Sequence, residues 1–193
     1  MSNAQSNLKV FLVSHWVPGA LISALVLLAV LPIFALTNWP QTLIFLHLPA
    51  YMLHQVEEHT NDRFRAFVNQ RMFGGLEALT VEAVLWINIP GVWGLNLLAL
   101  YIARFGDPGF ALAAPYFMLF NAVVHLIPFA KTRAYNPGLV TGLLLFVPLA
   151  ATTLYVIKAT LMQHMLGAAI AAAFQVVIIA IPARRAARLR TTL

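Results

Sequence analysis

"QTLIFLHLPAYMLHQVEE", residues 41–58, decides how many times this chain crosses a membrane. Its first half is largely apolar, but His47, His54, Glu57 and Glu58 interrupt it. A bilayer core takes about 20 mainly apolar residues per helix. With this stretch counted, six such segments follow one another, at roughly 16–37, 41–58, 79–102, 109–130, 138–157 and 160–182. Loop charges test the count. With the N-terminus inside, Lys9, Arg63, Arg65, Arg71, Lys131, Arg133, Arg184, Arg185, Arg188 and Arg190 share one side, and only Arg104 and Lys158 lie on the other. That asymmetry is what the positive-inside rule predicts, and one helix more or fewer would scramble it. The expected fold is an all-α polytopic membrane bundle of about six transmembrane helices. It forms one domain over 1–193, with both termini cytoplasmic, in a bacterial inner membrane or its equivalent.

Composition points the same way. Charged residues are 9% of the chain and hydrophobic ones 61%, against about 25% charged in a soluble domain. The net charge of +6 therefore reads as topology signal, and no nucleic-acid partner is expected. Cysteine is absent, which excludes disulfides, iron–sulfur clusters and thiolate metal sites; any metal must be held by nitrogen and oxygen. The N-terminal segment lacks signal-peptide features, so the first apolar run is expected to be a retained helix. In the long connection 59–78, Phe64, Phe67, Val68, Arg71 and Met72 keep helical spacing. This predicts a short helix on the cytoplasmic surface, ended by Gly74-Gly75.

Polar residues recur at one depth. Residues three, four and seven apart share a helix face, so His47, Tyr51, His54 and Glu58 form a stripe with Glu57 beside it. The topology puts His54, Glu57 and Glu58 in the last turns of the second span and Asn121 and His125 in the last turns of the fourth. Glu82 lies one turn into the third, and His15 at the start of the first. A carboxylate at membrane depth costs at least a few kcal/mol unless it is paired, neutralised or coordinated. A divalent cation would neutralise several at once, and imidazole with carboxylate suits Zn, Fe or Mn. The expected metal ligands are His54, Glu58, Glu82 and His125. Glu57, Glu58 and Glu82 are the expected catalytic carboxylates, one of the adjacent pair moving protons as general base. Tyr51 and Asn121 would line the substrate path, and Lys131, Arg133 and Tyr135 could hold an anionic headgroup at its mouth. There are plainer alternatives. Glu57, Glu58, His59 and Asp62 could pair with Arg63 and Arg65 in headgroup water, and Glu82 could be an interfacial acid favoured by its own helix N-terminus. His164 is expected to be structural.

The run His54-Gln55-Val56-Glu57-Glu58 resembles the pattern of the HXXEE family, and "YNPG", Tyr135 to Gly138, resembles that family at the start of the next helix. The resemblance implies a small integral membrane protein and an enzyme. The family's NXXXE and HXXXH motifs are incomplete here: Ala78 to Glu82 keeps the acid without the amide, and Asn121 to His125 keeps one histidine.

The expected function is a membrane-embedded, metal-dependent enzyme acting on a lipid or other lipid-soluble molecule from the cytoplasmic leaflet. Hydrolysis is slightly favoured over di-metal oxidation, because histidines are few. The alternatives are a proton- or ion-coupled transporter, or a metal-free acid-catalysed isomerase or cyclase.

Overall fold

The computed structural model describes residues 3–35 and 38–191; the last two positions of the first expected span, 36–37, lie outside them. The described residues contain helices and turns and no strand. Helix α1, Asn3–Ala29, continues past a turn at Val30 into Leu31–Ala35. The other long helices are α2 (Trp39–His59), α3 (Val81–Phe105), α4 (Pro108–Thr132), α5 (Leu139–Val156) and α6 (Leu161–Arg190).

Among the described residues, five helices are long and apolar enough to cross a membrane: Val10–Ile33 within the first helical stretch, then α3, α4, α5 and α6. The expected sixth is α2, which has the length, 21 residues, but not the apolar composition. The packing supplies the reason. Fourteen of the residues of α2 are buried, and the helix touches α1, α3, α4 and α5. A helix wrapped in protein need not be apolar towards lipid, so its polar side chains meet partners instead of hydrocarbon.

Local sequence starts each helix. Asn38 caps α2 by accepting from the Gln41 amide at 3.2 Å, with Pro40 in the first turn. Thr80 caps α3 through the Ala83 amide. Thr160 and Gln163 form a reciprocal capping box at the start of α6. Small residues permit close approach of α1 and α2: Ala20 and Ala24, one turn apart and fully buried, sit against Leu48 and Met52.

The connection between α2 and α3 departs from expectation. Arg63–Phe67 and Val68–Met72 are helical, as the spacing predicted, and positive φ at Gly74 and Gly75 ends them. They do not simply rest on a surface. Phe64 lies 5.7 Å, ring to ring, from both His59 and His125, and Val68 is buried in a cluster with Trp16, Leu79 and Val84. Asn69 pins the return of the chain by exchanging two hydrogen bonds with the Leu79 backbone. The connection therefore closes the end of the bundle where α2 and α4 terminate.

Two helices loosen into i→i+5 turns beside that end, at Ile87–Trp93 in α3 and Gly142–Phe146 in α5. The first contains Pro90, which cannot donate into a regular ladder. Such widened turns re-aim side chains and are frequent at functional sites. Here they direct Asn88 and Trp93 towards α2, and Phe146 onto His54 at 4.3 Å between ring centroids.

Candidate metal centre

His54 and Glu58 are one turn apart on α2, and the packing of α4 against α2 brings His125 to the same level. All three are buried, and one ligand atom from each lies within 4.8 Å of the others. Glu58 Oε1 is 3.5 Å from His54 Nε2 and 3.1 Å from His125 Nε2.

Outer partners fix which nitrogen of each ring carries a proton. Asn136 donates its amide to the His125 carbonyl at 2.9 Å, which orients it so that its Oδ1 receives His125 Nδ1–H, also at 2.9 Å. With the ring neutral, Nε2 of His125 is then the bare nitrogen. For His54 the argument runs through Thr141. The single hydroxyl proton of Thr141 goes to Glu57 Oε2, so its oxygen accepts from His54 Nδ1–H at 2.7 Å. With the ring neutral, Nε2 of His54 is bare as well. Both Nε2 atoms are shielded from solvent and face Glu58 Oε1. Two neutral rings would set two lone pairs against a carboxylate oxygen. Acceptors repel at that range, and a shared cation, a proton or a metal ion, removes the repulsion. Two ligands of a tetrahedral zinc-type ion with bonds of about 2.0–2.1 Å stand roughly 3.3 Å apart, close to the separations found. Nδ1–H held by an outer acceptor with Nε2 free is also the usual arrangement of metal-binding histidine. These residues fit a metal ion.

Glu57 does not join the centre. Its carboxylate accepts from the Tyr135 hydroxyl at 2.8 Å, the Val140 amide at 3.1 Å, the Thr141 amide at 2.7 Å and the Thr141 hydroxyl. Four donors occupy the acceptor capacity of a carboxylate, so the expected general-base role has no free lone pair behind it. Glu57 acts instead as the cap of α5, supplied from another helix, and holds His54 through Thr141. Glu82 does not join either, which corrects its expected place as ligand and catalytic acid. Val84 and Asn88, one turn apart, form the inward face of α3 and are buried. Glu82 is two residues from Val84, about 200° around the helix, and is exposed. The direction of the side chain differs from expectation. His15 is also exposed, bonded to its own helix at Phe11.

Tyr51 and Asn121 line a cavity of about 120 Å³ that opens beside Glu58 and His125. Lys131 and Arg133 are exposed at the end of α4, Arg133 with φ of 55°. Tyr135 is spent on Glu57 and does not reach the cavity; burial first, then this bond, pushes its hydroxyl up to about 12, so it remains a donor at neutral pH. His164 meets Tyr116 at 2.8 Å, away from the centre.

Sequence reasoning missed several residues. His59 is buried with Nε2 3.4 Å from Glu58 Oε2 and 3.3 Å from the Asn88 amide. Gln55 bridges Asn88 and Trp93, donating to one and accepting from the other. "YNPG" proves to be the second half of the site: Tyr135 serves Glu57, Asn136 serves His125, and Gly138 begins α5 with φ of 96°. A β-carbon on Gly138 would lie 2.5 Å from His125 Cε1 and 2.9 Å from Glu58 Cγ. The signal available was the motif itself, three of whose four residues have distinct duties.

No curated protein and no solved structure matches the chain. Residues 45–153 match the family described as "Protein of unknown function with HXXEE motif". That interval contains His54 and His125, both adjacent glutamates and the "YNPG" turn, so the chain belongs to the HXXEE family.

Proposed function

We propose that this protein is an integral membrane metalloenzyme that holds one divalent transition metal on His54, Glu58 and His125 and hydrolyses a bond in a lipid-soluble substrate. In this reading α2 crosses the membrane with the other five helices, both termini are cytoplasmic, and the site opens to the inner leaflet. The observation behind the proposal is the buried meeting of Glu58 with two imidazole Nε2 atoms whose rings are held through Nδ1 by outer partners.

When bound, the metal would supply Lewis-acid polarisation and a lowered pKa for water. The chain supplies the rest. Thr141 and Glu57 hold the His54 ring, and Asn136 holds the His125 ring. The apolar walls of the adjoining cavity admit hydrocarbon and exclude bulk water. Two histidines and one glutamate make a complete set for a single catalytic ion with an open position. A di-metal carboxylate centre takes such sets from opposing helices, and with Glu82 and Glu57 outside the cluster the described residues offer no second set. This supports hydrolysis over di-metal oxidation. The polar chain also does not continue across the bundle as a transporter would require: His47 bonds to its own helix at Leu43, and no hydrogen bond among the described residues joins it to His54.

Isotope labelling tests the reaction class. Purified protein incubated with total membrane lipid in ¹⁸O-water should yield a product carrying one ¹⁸O, and His54→Ala should yield none. A product that forms without label, or that takes its oxygen from ¹⁸O₂, would rule out hydrolysis.

A further inference from the structure

The cavity beside Glu58 and His125 is walled mainly by hydrocarbon, including Phe117 and Ile178, yet three polar side chains line it with atoms that have no partner. They are Tyr51 Oη, Asn121 Oδ1 and Gln175 Oε1, each shielded from solvent. Tyr51 is 1% exposed and Gln175 7%. A buried polar atom left unpaired forfeits its hydration without recompense, and three of them around one small cavity require a common explanation. They come from three helices. Tyr51 precedes His54 on α2, Asn121 precedes His125 by one turn on α4, and Gln175 lies on α6, which packs along α4. At 1.5 Å per residue, Asn121 lies roughly 6 Å further from the bundle end than His125.

We infer that Tyr51, Asn121 and Gln175 form a recognition subsite for a hydrogen-bond-donating group, a hydroxyl or amide N–H, on an otherwise apolar substrate. The inference deepens the proposed function, which supplies the reacting end. The substrate's scissile group lies at the metal ligands, and its donor group about one helical turn deeper. Two orphan carbonyl oxygens demand donors, and the Tyr51 hydroxyl can accept or donate. Size narrows the class further. A dry apolar cavity of about 150 Å³ admits benzene, so 120 Å³ holds only part of a ring-sized group, with the rest of the molecule extending out of the opening, and not a whole acyl lipid. Gln175 is thereby assigned as a specificity-determining residue alongside Tyr51 and Asn121.

A matched pair of probes reads this directly: 4-fluorophenol and 4-fluorotoluene, of nearly equal size, titrated by ¹⁹F NMR into the detergent-solubilised full-length protein. Concentrations are expressed per mole of detergent. The phenol should bind about tenfold more tightly, and Asn121→Leu/Gln175→Leu should reduce the difference to about twofold or less. Should that variant lose its helical circular dichroism, Tyr51→Phe is read by the same criterion. Equal binding of the two probes by the wild-type chain, or a preference that survives these substitutions, overturns the subsite. Metal analysis of the same samples separates the two readings. A phenol preference in protein without metal sinks the metalloenzyme and leaves the subsite, and metal without the preference does the reverse.

Discussion

At the residue scale the site depends on side chains that touch no substrate. Asn136 sets the His125 tautomer by a two-way exchange of hydrogen bonds. Outer partners of this kind are worth 10–100-fold in metal affinity, so Asn136→Ala should weaken zinc binding by about that factor in a chelator competition. Gly138 is constrained twice, by positive φ and by the His125 ring it faces. Gly138→Ala should destabilise the protein by about 1–3 kcal/mol, seen as a lower thermal midpoint in mild detergent, and should displace the His125 ring enough to lose the metal. His54, Glu58 and His125 were legible in the sequence because i, i+4 spacing and loop charges fix face and depth. Glu82 was misplaced because loop charges say nothing about rotation around the helix axis. His59 was read as a headgroup residue because it lies five residues from His54, off the stripe, and it reaches Glu58 only as its immediate neighbour. Glu82→Gln should therefore leave bound metal unchanged, measured beside the ligand variants.

At the element scale the least apolar helix is the central one. The stretch 41–58 carries histidine and glutamate because α2 is sheathed by α1, α3, α4 and α5, and polar groups there find partners within protein. Hydropathy does not mark this helix as a span; the charge asymmetry of the flanking loops is what proposes it as one. The start of α5 shows another kind of information hidden from local sequence. It has no side-chain cap of its own, since Gly138 stands at the N-cap position. Glu57, more than 80 residues earlier, takes that duty through the Val140 and Thr141 amides. A cap is worth about 0.5–2 kcal/mol. Glu57→Gln turns one acceptor oxygen into a donor facing donors, so it should lower the thermal midpoint by a cost near the upper end of that range.

At the scale of the whole molecule the proposed topology makes six crossings. The chain has no cysteine, so single cysteines report their side of the membrane without background. Trp39, Gln70, Lys131 and Lys158 are all exposed. In intact cells a membrane-impermeant maleimide should label Trp39→Cys and Lys158→Cys. Gln70→Cys and Lys131→Cys should react only after the membrane is opened. Labelling of Trp39→Cys and Gln70→Cys from the same side would mean that α2 does not cross. The overall bundle was readable from long apolar runs. The closure of the site by 63–72 was not, because helical spacing shows that a segment has an apolar face without showing what covers it.

The central claim is that a metal ion joins α2 to α4. Elemental analysis of the full-length protein, purified in mild detergent without chelator, tests it most directly. The account predicts about one transition-metal ion per chain in the wild type and in His164→Ala, and close to none in His54→Ala or His125→Ala. A full metal complement in His125→Ala, or a wild-type chain that takes up no zinc, iron or manganese when these are supplied, would contradict it.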